Sequence, residues 1–234
     1  MIVFPGAVIG GAPFEAAAFT WRYNDGGVTS SSDSWATVPV GDVALGRNEK
    51  WAIGCVVFEG GSNPNVSLSS ISVGGVTGTV IYDVTVTTAT TLRVQYIIFV
   101  ADISSLSGNI TVSYTKNKSY FTRWFHLVTA VNLDCSAQID NNADGGGGIA
   151  NISLDCPAGG GIIAFGSYGY SGGGTPTTVD FDNLTTLNYS DSNIGWSVGA
   201  ETFASAQTAL TVDFDPVPNS AQCSAAALSF AAVT

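Results

Sequence analysis

The sequence predicts an all-β fold, a β-sandwich of the jelly-roll or immunoglobulin-like type with roughly 10–14 short antiparallel strands. Gly is frequent at 28 of 234 residues and charged residues make up only 11%, while Val, Thr and Ser recur throughout. These residues favour turns and strands, whereas the helix formers Lys, Glu and Met are scarce. Apolar runs recur about every 8–15 residues between turn residues and show no helical period.

The two longest apolar runs predict strands at the centre of the fold. Residues 51–58 are apolar at every position, and residues 92–101 are apolar at most positions. A strand with one face in water alternates apolar and polar side chains, so a continuous apolar run indicates burial on both faces.

Turns and alternating strands follow along the chain. Gly74-Gly75 predicts a tight hairpin, because both central residues of such a turn need positive φ. Residues 110–114 alternate between apolar and hydroxyl side chains, which is typical of a half-buried strand. Residues 119–133 also alternate, and we expect their odd-numbered positions to face the core.

The C-terminal part of the chain predicts further strands between Gly-rich turns. Residues 140–148, which end in four glycines, indicate a flexible loop and the best candidate for a domain boundary. We favour a long loop inside one sandwich domain that spans residues 19–234. Val-Asp-Phe-Asp occurs at 179–182 and at 212–215, but this echo is too short to predict a repeat architecture.

Residues 1–18 differ from the rest and predict an N-terminal arm. They are small and apolar, and Gly and Pro interrupt them, so the arm cannot fold alone. The arm either rests on the core or orders against a partner protein. In the second case the partner-binding side chains are Ile2, Val3, Phe4, Pro5 and Phe14.

Charge and hydropathy limit the kinds of partner that we expect this protein to bind. The formal net charge is −11, from 7 basic and 18 acidic residues. Such a surface repels phosphates, so we expect neither nucleic acid nor a membrane as a partner. The start lacks the basic segment of a signal peptide, and no run reaches the roughly 20 apolar residues of a membrane span.

Groups that could perform catalysis are scarce. His126 is the one histidine, and its place between two apolar strand residues indicates a structural role. No nucleophile-elbow motif is present, so the sequence predicts that the protein is not an enzyme. The cysteines form no metal-spaced pair and we expect free thiols, with a Cys135–Cys156 bridge as the alternative.

Paired carboxylates are the first candidates for a metal site. Asp180 and Asp182 share one face of a strand and Asn183 follows them, so these three residues could hold calcium. The polar segment 140–144 is a second candidate. The favoured interpretation is simpler, because the aspartates can face water while the intervening apolar residues face the core. We therefore predict no cofactor, with calcium as the alternative.

Aromatic residues near strand ends are candidates for binding carbohydrate. Aromatic rings offer flat apolar faces on which sugars can stack, provided that the rings are exposed. The alternative is that these rings fill the core or the sheet edges. The candidates are Tyr168, Tyr170, Tyr189 and Trp196.

Several segments together suggest a family. They are Val-Gly-Asp-Val-Ala-Leu-Gly-Arg at 40–47, the apolar strand at 51–58, Ser-Ile-Ser-Val-Gly-Gly-Val at 70–76, Ser-Val-Gly-Ala-Glu-Thr-Phe-Ala-Ser-Ala-Gln-Thr at 197–208 and the final strand at 225–230. The chain thereby resembles small β-rich structural proteins of tailed bacteriophage and gene-transfer-agent particles. The resemblance implies a virion component and assigns no functional residues.

These observations lead to two expectations of function. The first is a virion structural protein made in the host cytoplasm, most specifically a capsid decoration protein whose arm binds the major capsid protein. A homo-oligomer is expected, and a trimer would suit three-fold positions. The alternative is a tail-fibre or baseplate adhesin that binds host glycans.

Overall fold

The computed structural model describes residues 16–25, 32–39, 50–88, 92–118, 120, 122–169, 178–190, 194–217 and 222–233. The prediction of an all-β fold is confirmed, because these residues form strands and turns with no helix among them. They contain nineteen strands instead of the expected 10–14, since bulges and turns divide several runs into short strands. In chain order these are β1 (Ala18–Asp25), β2 (Ser32–Pro39), β3 (Lys50–Gly60), β4 (Leu68–Val73), β5 (Val76–Thr77), β6 (Thr79–Thr87), β7 (Arg93–Asp102), β8 (Asn109–Lys116), β9 (Thr122–Val131), β10 (Leu133–Asp134), β11 (Asp140–Gly146), β12 (Ser153–Cys156), β13 (Gly161–Gly169), β14 (Thr178–Phe181), β15 (Thr185–Tyr189), β16 (Ile194–Thr202), β17 (Gln207–Thr211), β18 (Phe214–Val217) and β19 (Gln222–Ala232).

The strands that the structure describes fall into two halves, and each strand pairs only with strands of its own half. Strands β1–β9 form an inner sheet in the order β1-β9-β3-β7-β6 and an outer sheet in the order β2-β8-β4-β5. Strands β10–β19 form an inner sheet in which β10 and β11 both pair with β19, followed by β13, β16 and β15. The outer layer of this second half consists of two ladders, β12-β17 and β14-β18.

Three hydrophobic cores separate the four layers. The two inner sheets face each other across the middle core, and each inner sheet also packs against its own outer layer. Along β3, Ile53 and Cys55 point into the middle core, whereas Ala52 and Val56 point into the core of the first half. The predicted two-sided burial of residues 51–58 is therefore confirmed, and β7 is buried in the same way.

Strand β9 is buried more completely than its sequence pattern predicts. The pattern places the odd-numbered positions in the core, and Phe125 and Leu127 indeed face the first half. The even-numbered Val128 and Ala130 are also buried, because the second inner sheet covers them. The hairpin at Gly74-Gly75 is confirmed, with φ of 59° and 89°.

The predicted flexible loop at 140–148 is wrong over residues 140–146. Residues Asp140–Gly146 form β11, which pairs along its whole length with β19. The side chains of Asp140 and Asn142 there bond to backbone atoms, as polar side chains often do in turns. The change of sheet from one half to the other falls earlier, between β9 and β10.

The two halves repeat one strand order, although the sequence predicts no repeat. In the first half β9 lies between β1 and β3, and β7 separates β3 from β6. In the second half β19 lies between β11 and β13, and β16 separates β13 from β15. Each strand of the first inner sheet thus has a counterpart at the same place in the second, in which β10 is an additional strand.

A β-bulge marks the same position in both inner sheets. In β6 the extra residue is Ile81, which follows the residue paired with Phe99 of β7. In β15 the extra residue is Leu187, which follows the residue paired with Gly199 of β16. Both extra side chains pack against the middle core. Phe99 and Gly199 therefore occupy equivalent positions, and this pair fixes which residues of the two inner sheets correspond to each other.

Candidate functional site

The structure separates the four glycan-binding candidates. Tyr168 is buried in the core of the second half, where its hydroxyl donates to the carbonyl of Ser190. Trp196 is buried in the middle core. The prediction of accessible rings is wrong for these two, because the outer layer of the second half covers Tyr168 and the first inner sheet covers Trp196. Tyr189 is 52% exposed on the edge strand β15, and Tyr170 lies outside the described residues.

His126 lies at the centre of the middle core. Its ring centroid is 4.9 Å from that of Trp196 and 5.8 Å from that of Phe165. Neither ring nitrogen has a hydrogen-bond partner among the residues that the structure describes. Complete burial in this apolar environment lowers the pKa of His126 to about 3, so the ring is neutral at ordinary pH. Its surroundings are those of a structural residue.

The carboxylates proposed for calcium lie where β14 and β18 pair. Asp180 is directly opposite Asp215 in this ladder, and the backbone N–H of Asp182 donates to the carbonyl of Asp213 at 2.9 Å. Asn183 has φ of 61° and its amide donates to the carbonyl of Thr211 at 2.9 Å. The apolar residues between these aspartates are buried, as expected: Val179, Phe181, Val212 and Phe214.

This ladder concentrates negative charge. Oδ1 of Asp215 is buried and has no hydrogen-bond partner in the described part of the chain. Burial first, and then the charges of Asp180, Asp182 and Asp213, raise the pKa of Asp215. Within the described part of the chain, no three His, Cys, Asp or Glu side chains are grouped so that they could hold a metal ion. Calcium binding here stays a hypothesis.

Other aspartates hold backbone segments in place. Asp140 accepts from the N–H of Asp155 at 2.8 Å, and Asp144 accepts from the N–H of Asn151 at 2.9 Å. Asp155 in turn accepts from the N–H of Ala209 at 2.7 Å. These bonds tie β11 to β12 and β12 to β17, so the acidic segment 140–144 has a structural explanation.

The cysteines are free thiols, as predicted. Cys55, Cys135, Cys156 and Cys223 are all buried, and none is bridged. Burial raises the pKa of Cys156 to about 11 and keeps its thiol protonated and unreactive.

A groove that the sequence does not predict lies between β1 and the edge of the second inner sheet. Its volume is about 190 Å³. Ala18 and Phe19 line one side, and Leu187, Glu201 and Thr185 line the other. The hydroxyl of Thr185 donates to Oε2 of Glu201 at 2.7 Å and orients the carboxylate. No sequence signal indicates this groove, because it depends on the bulge at Leu187 and on strands far apart in the chain.

Some predicted residues lie outside the described residues. These are the partner-binding candidates Ile2, Val3, Phe4, Pro5 and Phe14 of the arm. The same holds for residues 40–47, which contribute to the phage resemblance.

Comparisons with known proteins complete these observations. No protein-family model matches the chain, and neither the curated proteins nor the solved structures provide a match. Among the residues that the structure describes, no helix is long and apolar enough to cross a membrane.

Proposed function

We propose that this protein is a non-enzymatic structural component of a virion, and specifically a capsid decoration protein. The observation that carries the proposal is the stack of four β layers whose two inner sheets are buried on both faces. Such a body is rigid, because its layers share three close-packed cores. Rigidity and an acidic surface suit a subunit that coats a particle and stays soluble before assembly.

The strand connections support this role. In the first half, β1, β2, β3 and β4 alternate between the inner and the outer sheet, and β8 and β9 return between them. We propose that each half is a jelly roll on this basis. Jelly rolls are frequent in viral capsid proteins, although they also occur in lectins. The fold alone does not assign function, so the proposal also rests on the resemblance to phage particle proteins.

Attachment is proposed through the N-terminal arm. The described chain begins at Ala16 and β1 begins at Ala18, so removing residues 1–15 cuts no strand that the structure describes. The deletion variant should keep its near-ultraviolet circular dichroism and lose binding to particles that lack the protein. Particle binding as strong as that of the full chain would refute attachment through the arm.

Copy number tests the proposed location. Quantitative mass spectrometry of purified virions should find hundreds of copies per particle if the protein decorates the capsid. A handful of copies would instead place the protein at the tail, and its absence from virions would refute the virion role altogether.

An adhesin is the second candidate, favoured by the exposed ring of Tyr189 at the edge of the second inner sheet. If it binds host glycans, Tyr189→Ala should abolish binding on a glycan array. Tyr168→Phe is the control, because this buried ring cannot contact a ligand. Glycan binding that survives Tyr189→Ala would exclude this site.

A further inference from the structure

The two halves meet through reciprocal edges. Strand β6 of the first half packs against β11 of the second, while β1 packs against β15 and β16. Because β1 corresponds to β11 and β6 to β15, each edge strand contacts the counterpart of the opposite edge of its own sheet. This exchange is the signature of a two-fold axis, as in an isologous dimer. The halves therefore form two equivalent seams, the β6–β11 seam and the β1–β15 seam.

The β6–β11 seam is closed. Gln138, just before β11, donates from Nε2 to the carbonyl of the bulge residue Ile81 at 3.0 Å. Further along, the backbones approach so closely that a Cβ on Gly145 would lie 2.6 Å from the carbonyl oxygen of Thr87. A glutamine side chain thus occupies the end of this seam and reaches the bulge carbonyl.

The β1–β15 seam has a small residue at the corresponding place. The equivalence of Phe99 and Gly199 also makes Thr129 of β9 equivalent to Ser229 of β19. Thr20 pairs with Thr129 and Asp140 pairs with Ser229, so Thr20 corresponds to Asp140. Ala18 lies two residues before Thr20, as Gln138 lies two residues before Asp140. The groove of about 190 Å³ lies here, beside Ala18 and the second bulge residue, Leu187.

We propose that this groove is a binding site for a short alkyl chain that ends in an N–H donor, such as the lysine or glutamine side chain of a partner protein. The two-fold relation supports this proposal. In the other seam the side chain of Gln138 is itself an alkyl chain that ends in an N–H donor, and it binds the carbonyl of the equivalent bulge residue, Ile81. In the groove the acceptors would be the carboxylate of Glu201 and, by equivalence with the carbonyl of Ile81, the carbonyl of Leu187. Ala18 and Phe19 provide the apolar wall for the alkyl part.

The size of the groove fits this class of ligand. Its volume of about 190 Å³ is several times the ~30 Å³ that one water occupies in the liquid. It is smaller than the roughly 300–1,000 Å³ of pockets that hold cofactors or drugs. The carboxylate of Glu201 and the net charge of −11 favour a cationic donor. This site would stand whether or not the protein belongs to a virion.

The test uses n-butylammonium and propionamide as probes of the two donor types. Each is titrated into the isotope-labelled full chain while backbone amide shifts are followed by NMR. We expect saturable shifts at Ala18, Leu187 and Glu201. Glu201→Gln should weaken the binding of n-butylammonium at least about threefold and leave the affinity for propionamide unchanged, as expected if the carboxylate binds the cation. The absence of saturable shifts in the unmodified chain would overturn the proposal.

Two matched variants test the role of the seams. Ala18→Gln should fill the groove and weaken the binding of both probes at least about tenfold. Gln138→Ala should open the closed seam and add a second site, with new shifts at Ile81. If the NMR spectrum shows that Ala18→Gln does not fold, Ala18→Leu replaces it. If Gln138→Ala does not fold, Gln138→Ser replaces it. Unchanged probe binding in a folded Ala18 variant, or no second site in a folded Gln138 variant, would refute the assignment.

Discussion

His126 shows how one buried polar residue can couple stability to pH. Its folded-state pKa of about 3 lies below the ordinary value of 6.5. The unfolded chain therefore binds a proton below pH 6.5, while the folded chain does not until about pH 3. Stability is fully present above pH 6.5 and falls as the pH decreases, by about 1.4 kcal/mol per pH unit across this window.

We predict that His126→Leu removes this pH dependence. Leucine has a similar volume and leaves no unpaired nitrogen in the middle core, so stability at pH 7 should stay the same or rise by about 1–3 kcal/mol. Urea unfolding at pH 7 and pH 4.5 measures both effects. The difference in unfolding free energy between the two pH values should shrink in the variant, and an equal difference would show that other groups dominate the acid response.

At the scale of elements, glycines in the central strands permit close packing of large rings. In β3, a Cβ on Gly54 would collide with the ring of Phe99 in the neighbouring strand. In β13, a Cβ on Gly166 would lie 2.7 Å from the ring of Phe214. Each half thus brings an aromatic ring against the backbone of its central strand.

We predict that Gly54→Ala destabilises the protein by about 1–3 kcal/mol, because Phe99 must leave its packed position. Thermal or urea unfolding measures the loss. Gly61→Ala is the matched control, since nothing lies within 4 Å of an added Cβ there and φ is not positive. Equal effects of the two substitutions would contradict the packing argument.

The element scale also shows where sequence patterns succeed and fail. The continuous apolar run at 51–58 correctly predicts a strand buried on both faces. The run at 140–148 has almost no apolar residue and so predicts a loop, yet residues 140–146 form β11 because β19 supplies backbone partners along its length. A ladder of backbone hydrogen bonds does not require apolar side chains, and therefore the pattern misses it.

At the scale of the whole molecule, the two ends of the described chain meet at the junction of the halves. The carbonyl of Asn132 accepts from the N–H of Val233 at 3.1 Å, and its side-chain amide donates to the carbonyl of Ala16 at 3.3 Å. The point where the first half ends is thus adjacent to both described ends. Such proximity favours circular permutation.

We predict that a permutant with Thr234 joined to Met1 and new ends between Ser136 and Ala137 folds normally. These two residues are exposed, and the cut keeps the strands of each half on a continuous segment except for the two-residue β10, which stays connected to β9. Its Tm should stay within about 5 °C of the parent value. The control opens the chain between Gly61 and Ser62, also exposed, which separates β3 from β4 within one half. A control more stable than the first permutant would contradict the division into halves.

The sequence by itself determined the all-β class, the hairpin at Gly74-Gly75 and the structural character of His126. These features depend on local backbone preference and on the apolar pattern of single strands. Only the tertiary structure decided that the fold is doubled, that the rings of Tyr168 and Trp196 are covered and that a groove opens beside Ala18. The physical reason is that each of these depends on packing between strands far apart in the chain, and a pattern in one strand does not specify which sheet will cover its second face.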